Sequence, residues 1–520
     1  MRSEQTPVLI VGAGLAGLST AMFLGQHGVP ALVVDRHPGT ANQPKARGQS
    51  PTIMEAFRVA GVADAIIAAA PPGRPEMTIV IADSVTGTVR HSYSEKFPDF
   101  AALSPMPGGM ASQQAAEAAL AARARELGAD VRFRTVLESM RPDDDGVTAT
   151  LRDLDTDERY QVDARYLVGA DGHRGGIART VGIGHHGHGT LGHITTVLFR
   201  ADELIDVVPD TAVLMYYVQN PALPTGSASF VSTDRPGEYV LGIHDDVTRT
   251  EGEVLDVIRA AVGRPELKVD LLSLGTSWEV AHRVADRFSA GRVHLIGDAA
   301  HLMPPTGGQG GNTAMLDGMH LAWKLAAVVR GEAGPGLLDS HDAELRPYGQ
   351  TIADWQYVNR FERHAPDERP DDLPEVPDPL SGLFGYRMAS RAIVGGTAEP
   401  GFVDPTVDGG EPGTRAPHVP LSRDGRPVST RDLLFRGFVL LTEDAAWAEA
   451  GARAAAALAL PLDVHRIGAE LVDDGGFRRA YGLGDGGAVL VRPDGVIGWR
   501  QVGPADAGAL EQAWRQILDR

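Results

Sequence analysis

Apolar and polar residues alternate along this chain with two different periods, and the change of period divides it. Residues 8–11 (Val-Leu-Ile-Val) form a short unbroken apolar run with β-branched residues, the pattern of a buried parallel strand. Residues 15–26 then follow helical apolar spacing, Gly28 stands where a C-cap glycine belongs, and residues 31–34 (Ala-Leu-Val-Val) form a second apolar strand ending at Asp35. Period-two stretches dominate later, at residues 194–199, 213–218, 227–232 and 239–243, and predict an antiparallel sheet. Residues 292–301 read as a strand entering a turn, and residues 313–330 as a helix. The Pro- and Asp-rich residues 366–379 read as an exposed loop, and Arg492-Pro-Asp-Gly495 as a hairpin turn.

The first strand–helix–strand unit carries chemistry. Gly12-x-Gly14-x-x-Gly17 lies at the strand-to-helix turn. In such a unit Gly12 permits the tight turn, Gly14 lets a pyrophosphate approach the backbone, and Gly17 allows close helix–strand packing. The helix N-terminus directs unpaired N–H groups at phosphates. Asp35, followed by Arg36, is placed to accept from ribose hydroxyls. This motif alone does not separate FAD from NAD. A second site fragment begins about 280 residues downstream, at Gly297-Asp298. Asp298 falls just past a strand end, where a carboxylate can accept from a sugar-alcohol chain. The Pro-Gly-rich run from Met303 to Asn312 then delivers another helix N-terminus near Gly310, Gly311 and Asn312. Partial positive charge at that end favours an anionic reduced flavin. The two fragments are read as the distant halves of one FAD site.

Several runs together resemble the group A flavoprotein monooxygenases, of the para-hydroxybenzoate and phenol hydroxylase fold. They are Gly297-Asp298-Ala-Ala-His301-x-x-Pro304-Pro305-x-Gly307-Gly308-Gln309-Gly310-x-Asn312 with Asp317, Tyr166-Leu-Val-Gly-Ala-Asp171-Gly172, the segment from Pro44 to Glu55, and Ser112-Gln113-x-x-x-Glu117. Gly182 to Leu191 and Thr233-Asp-Arg-Pro236 are similar to hydroxylases of aromatic polyketides within that family. The resemblance implies an α/β chain with three parts. A discontinuous Rossmann-like FAD-binding domain takes residues 1–75, 100–180 and 280–395, and an inserted antiparallel-sheet substrate domain takes residues 76–99 and 181–279. A thioredoxin-like C-terminal domain takes residues 401–520.

The resemblance also implies site roles. Gln113 contacts the FAD, Lys45 or Arg47 supports the pyrophosphate region, Asp171 and Gly172 serve the FAD and nicotinamide path, and Pro304 lies beside the reactive flavin face. Tyr216, Tyr217, Phe230 and His244 are candidates for the substrate wall, and His282 with Tyr216, Tyr217 and His244 for a general base. The implied reaction is hydroxylation of a polycyclic aromatic, polyketide-type substrate in secondary-metabolite biosynthesis. NADPH, in preference to NADH, would reduce the FAD, and O₂ would form a flavin C4a-hydroperoxide. Baeyer–Villiger insertion on the same scaffold and a non-oxygenating flavoprotein that sequesters an intermediate remain open. This chain departs from the family pattern at Lys45 (usually Arg), Arg47 (usually small), Gly175 and Ala178 (usually Ser and Arg), and Glu344-Leu345 (usually Glu-Arg).

Composition narrows the partners. The chain has 520 residues, enough for two or three domains, and a formal net charge of −20, which argues against nucleic acid and anionic membranes. It has no cysteine, so disulfides, thiolate catalysis, iron–sulfur clusters and dithiol exchange in the C-terminal domain are excluded. No run approaches the ~20 apolar residues of a membrane span, and a cytoplasmic enzyme, with a homodimer left open, is expected. Histidines 173, 185, 186, 188 and 193 sit among glycines and read as a solvated loop, with no metal site expected.

Overall fold

The computed structural model describes residues 2–41, 46–71, 73–96, 98–275, 277–364, 369–407, 409–473 and 475–520. The expected loop at residues 366–379 therefore begins outside the described residues.

The first sheet is built on Ser3–Val11, which pairs in parallel with Ala31–Val34 on one side and Arg159–Gly169 on the other. Val293–Leu295 and Asp130–Arg132 extend it in parallel at either end. Strand Val293–Leu295 thus delivers Asp298 at the same sheet end at which Ser3–Val11 delivers Gly12. The helix Leu15–Gln26 is buried on all sides rather than along one stripe. The helix Gly310–Val329, which would carry the flavin end, packs against it. Their crossing is close because Gly318 has no side chain: a Cβ there would lie 2.6 Å from Ser19 Oγ.

The second sheet has nine strands. Its main path runs His301–Leu302, Ser277–Ala285, His185–Arg200, Glu238–Ile243, Ser227–Ser232, Thr211–Gln219, Arg74–Ala82, Val89–Lys96. The antiparallel expectation needs one correction: Thr211–Gln219 and Arg74–Ala82 run parallel, because the connection between them passes through the first sheet. Side chains alternate across this sheet. Phe199, Leu214, Tyr216, Phe230, Tyr239 and Leu241 form a core with Val254 and Ile258 of the helix Glu251–Val262 on the outer face. The opposite, inner face continues into Trp278 and His282, and His282 meets Asp354 of the helix Asp339–His364. The inner face therefore roofs the first sheet and its helices.

The C-terminal region forms a four-stranded sheet around Val439–Thr442, parallel to Asp463–Arg466 and antiparallel to Ala488–Val491, with Ile497–Gln501 at the edge. Helices Ala446–Leu458 and Ala507–Ile517 pack together beside it. Its apolar core is continuous with that of the flavin domain. A buried polar network also joins the two: Glu344 accepts from Lys324 Nζ at 2.6 Å and from Arg492 Nη1 at 2.7 Å, and Arg492 donates to Asp494 at 2.5 Å. Among the described residues no helix is long and apolar enough to cross a membrane.

Candidate flavin site

The three glycines of the first turn differ in what requires them. Gly12 has φ +112°, and a Cβ there would lie 2.0 Å from Ala170 O. A Cβ on Gly17 would lie 1.9 Å from Gly12 O. Packing of the protein itself enforces both. At Gly14 the nearest atom to such a Cβ is Glu117 Oε1, at 3.7 Å. Gly14 instead keeps open the approach to the N-terminus of Leu15–Gln26, which has no side-chain cap. A phosphate fits that arrangement of free N–H groups and open backbone.

Asp35 is anchored as well as placed. Its carboxylate accepts from Ala13 N at 2.7 Å and His37 N at 2.8 Å, so it braces the glycine turn from the end of the second strand. Gln113 braces a neighbouring segment: Oε1 accepts from Ala46 N at 3.3 Å, and Nε2 donates to Glu117 at 2.7 Å. Glu117 in turn accepts from Ala41 N at 2.7 Å. Lys45 lies outside the described residues. Arg47 reaches the second sheet, with Nη1 2.6 Å from Asp234 Oδ1 in the turn between two roof strands.

Asp171 Oδ2 accepts from Ile177 N at 3.1 Å, capping the turn after Gly172, which has φ +71°. Burial raises the Asp171 pKa, and the surrounding N–H groups and Arg36 offset only part of this. The departure at Gly175 has a cause here: a Cβ there would lie 2.0 Å from the Asp171 carboxylate. Glycine makes room for that cap.

The downstream half meets the upstream half at the first turn of one helix. A Cβ on Gly297, whose φ is +59°, would come 2.9 Å from Ala16 Cβ, and one on Gly311 would come 3.0 Å from Leu15 Cδ1. The Gly297 N–H is donated to Asp317 Oδ2 at 2.9 Å, and the same oxygen lies 2.6 Å from His301 Nε2. Asp317 thereby ties the Asp298 turn to the helix that begins at Gly310. Burial opposes a charge on His301, yet Asp317 raises its pKa above the ordinary value. Asn312 also braces: Oδ1 accepts from Ser50 N at 2.7 Å, and Nδ2 donates to Gly308 O at 3.2 Å. The N-cap of its helix offers no side-chain bond, which leaves backbone donors at that end for a ligand. In the intervening loop Pro304 is buried and Pro305 is exposed. Thr306 Oγ1 holds the loop from behind by donating to Gln356 O at 2.5 Å.

On the roof, two expectations are corrected. Tyr216 and Phe230 lie in the outer core against Glu251–Val262, because the register turns them away from the flavin domain. Tyr217 and His244 fall on the inner face by alternation, with Ser229 opposite Tyr217. His282 is fully engaged, with Nδ1 accepting from His188 N at 3.2 Å and Nε2 2.9 Å from Asp354 Oδ1. Among the described residues no group of three or more His, Cys, Asp or Glu side chains could hold a metal ion. Sequence reasoning missed the bracing by Asp317 and Glu117, although both stood in the quoted patterns. It also missed Asp234 as the partner of Arg47, which no local signal marks.

A family model described as "FAD binding domain" matches residues 5–356. One described as "Aromatic-ring hydroxylase, C-terminal" matches residues 410–520. The chain belongs to the FAD-dependent aromatic hydroxylases. Within that family it is 39% identical over 545 residues to aklavinone 12-hydroxylase RdmE of Streptomyces purpurascens, covering 100% of both chains. It is 42% identical over 456 residues to aklavinone 12-hydroxylase DnrF of Streptomyces peucetius, covering 85% of this chain and 92% of that relative. A solved ternary complex of aklavinone-11 hydroxylase with FAD and aklavinone shares its structure with a TM-score of 0.92 at 39% identity, over 100% of both chains.

Proposed function

We propose that this chain is a single-component, NAD(P)H-using monooxygenase that hydroxylates a polycyclic aromatic, polyketide-type substrate in the cytoplasm. The observation that carries the reading is the meeting of Gly297 and Gly311 with Ala16 and Leu15 beneath the second sheet, whose inner face carries Ile194, Leu198, Met215 and Val231 beside Tyr217, Ser229 and His244. That arrangement would suit a flavin held from below, with a broad wall above it. A bound flavin would supply the redox chemistry, with NADPH or NADH as the reductant and O₂ as the oxygen source.

The chain's own residues bind, orient and exclude water. Backbone N–H groups at Gly14 and Leu15 take the pyrophosphate, and Asp35 takes the ribose. Asp298, held by the Asp317-anchored turn, takes the ribityl chain. The N-terminal end of Gly310–Val329 would offer partial positive charge to a bound flavin, favouring its anionic reduced form. No nucleophilic side chain or metal is needed, because the cofactor carries the difficult step. The family likeness to aklavinone hydroxylases supports a flat, multi-ring substrate.

The test is anaerobic reduction of the purified FAD-loaded protein by NADPH and by NADH, with and without tri- and tetracyclic phenols. Aerobic product analysis follows. Substrate-stimulated reduction and a newly hydroxylated ring are expected. NADPH oxidation that no polycycle stimulates would favour a flavoprotein that only sequesters an intermediate. Oxygen inserted beside a ketone would favour Baeyer–Villiger chemistry.

A further inference from the structure

Resting on that reading of the site, we propose that His244, flanked by Ser227 and Ser229, orients an oxygen of the polycyclic substrate. The argument begins with its position. The strand His185–Arg200 spans the roof, and two contacts fix what lies beneath its ends. At one end His185 Nε2 lies 3.3 Å from Ala299 O, the residue after Asp298. At the other, strand residue Arg200 pairs with Glu238, which adjoins the turn whose Asp234 meets Arg47 at 2.6 Å. Arg47 follows Ala46, whose Cβ would lie 3.6 Å from a Cβ on Gly311. One end of the roof thus stands over the Asp298 turn and the other near the N-terminal end of Gly310–Val329. His244 lies between them, next to Ile243, the partner of Thr195 at mid-strand.

It stands in a polar cluster with Ser227 and Ser229 on a face that also carries apolar side chains. Alternation puts Ile194, Leu198, Met215 and Val231 on the same inner face, all half-exposed. His244 Nδ1 lies 3.0 Å from Ser227 Oγ and Nε2 lies 3.4 Å from Ser229 Oγ. The longer contact is the one a ligand oxygen can replace. Gly242 maintains this arrangement, since a Cβ there would lie 2.5 Å from Ser229 Oγ. Burial lowers the His244 pKa, and the adjacent Asp245 is already taken by Arg249 at 2.7 and 2.5 Å. A neutral imidazole keeps one donor and one acceptor, matching a phenol hydroxyl or a quinone carbonyl.

The test is titration of the FAD-loaded protein with 1,8-dihydroxyanthraquinone and with anthracene, which has three rings and no oxygen. Perturbation of the flavin spectrum reports binding without turnover. His244→Phe is expected to weaken the dihydroxyanthraquinone about fivefold, the worth of one neutral hydrogen bond. It should leave anthracene binding unchanged or tighter. His244→Gln, which keeps a donor and an acceptor, should restore affinity to within about twofold of wild type. Equal affinity of the Phe variant and wild type for the dihydroxyanthraquinone, with flavin retained, overturns the assignment, as does failure of wild type to bind it. If wild type binds it in a His244-dependent way yet never oxidises NADPH faster, the assignment stands and the hydroxylase reading falls.

Discussion

Replacing Glu344 with Gln removes one charge from the centre of the buried network that joins the C-terminal region to the flavin helix. Glu344 is fully buried and accepts four bonds: Lys324 Nζ at 2.6 Å, Arg492 Nη1 at 2.7 Å, Arg492 Nη2 at 2.9 Å and Ser390 Oγ at 2.6 Å. Asp494, the other buried anion, also accepts from Trp323 Nε1 at 2.9 Å. Lys324 and Arg492 are balanced by Glu344 and Asp494, so the variant leaves an unmatched positive charge buried out of contact with solvent. Breaking a buried pair from one side costs about 3–5 kcal/mol. With an unfolding entropy of about 2.1 cal/mol/K per residue, a chain of this length melting as one unit should lose about 3–5 °C in Tm. Far-UV circular dichroism and the fluorescence of released flavin should report the same shifted transition, because the network spans both regions. A Tm within about 1 °C of wild type, or a separate early transition of the C-terminal region alone, would refute the reasoning. Burial would raise the Glu344 carboxyl, but Arg492 and Lys324 more than reverse this and bring it to about 2. Its contribution is therefore complete above the unfolded value near 4.5 and lost as pH falls toward 2.

Gly14→Ala and Gly17→Ala should separate ligand from fold: the first meets no protein atom within 3.7 Å and should keep the apoprotein Tm while losing FAD, read as absorbance per protein. The second meets Gly12 O at 1.9 Å and should destabilise the apoprotein itself, so equal Tm values for the two variants would contradict the distinction. Arg47→Ala and Asp234→Ala, taken singly and together, should show a coupling of about 0.5–1 kcal/mol in urea unfolding, and additivity would mean the interdomain pair is not formed in solution. Burial lowers His27 and His341 to about 4 and His294 to about 3. Unfolded histidines take up protons near pH 6.5, so stability should be full above that and fall progressively as pH drops toward 4. A urea midpoint unchanged between pH 7 and 5 would count against these histidines being buried and neutral.

The strand–turn–helix at Gly12 was legible because its signals are local: three glycines, an apolar strand and an acid at the next strand end. The second fragment was legible for the same reason, since its glycines and prolines restrict the backbone within a few residues. Their joint purpose was readable from order along the chain, although not the contacts through Ala16 and Leu15 that join them. Side-chain bookkeeping was less legible. Gln113, Asn312 and Asp35 read as ligand contacts, yet in the fold their polar atoms also bind the backbone segments that shape the cradle. A residue type at a motif position tells which groups are available but not which neighbour claims them.

The amino-acid order alone determined the α/β class, the dinucleotide turn, the partner turn far downstream and the absence of thiol chemistry, because each follows from short-range backbone preference or from composition. Only the tertiary structure decided which wall of the roof meets the flavin side. Tyr216 and Tyr217 are adjacent, and alternation requires only that they point to opposite faces. The helix Glu251–Val262 covers one face and so assigns Tyr216 to the core, leaving Tyr217 and His244 inward. The pairing of Arg47 with Asp234 has the same origin, since packing of the second sheet against the first part of the fold brings together charges that no sequence spacing relates.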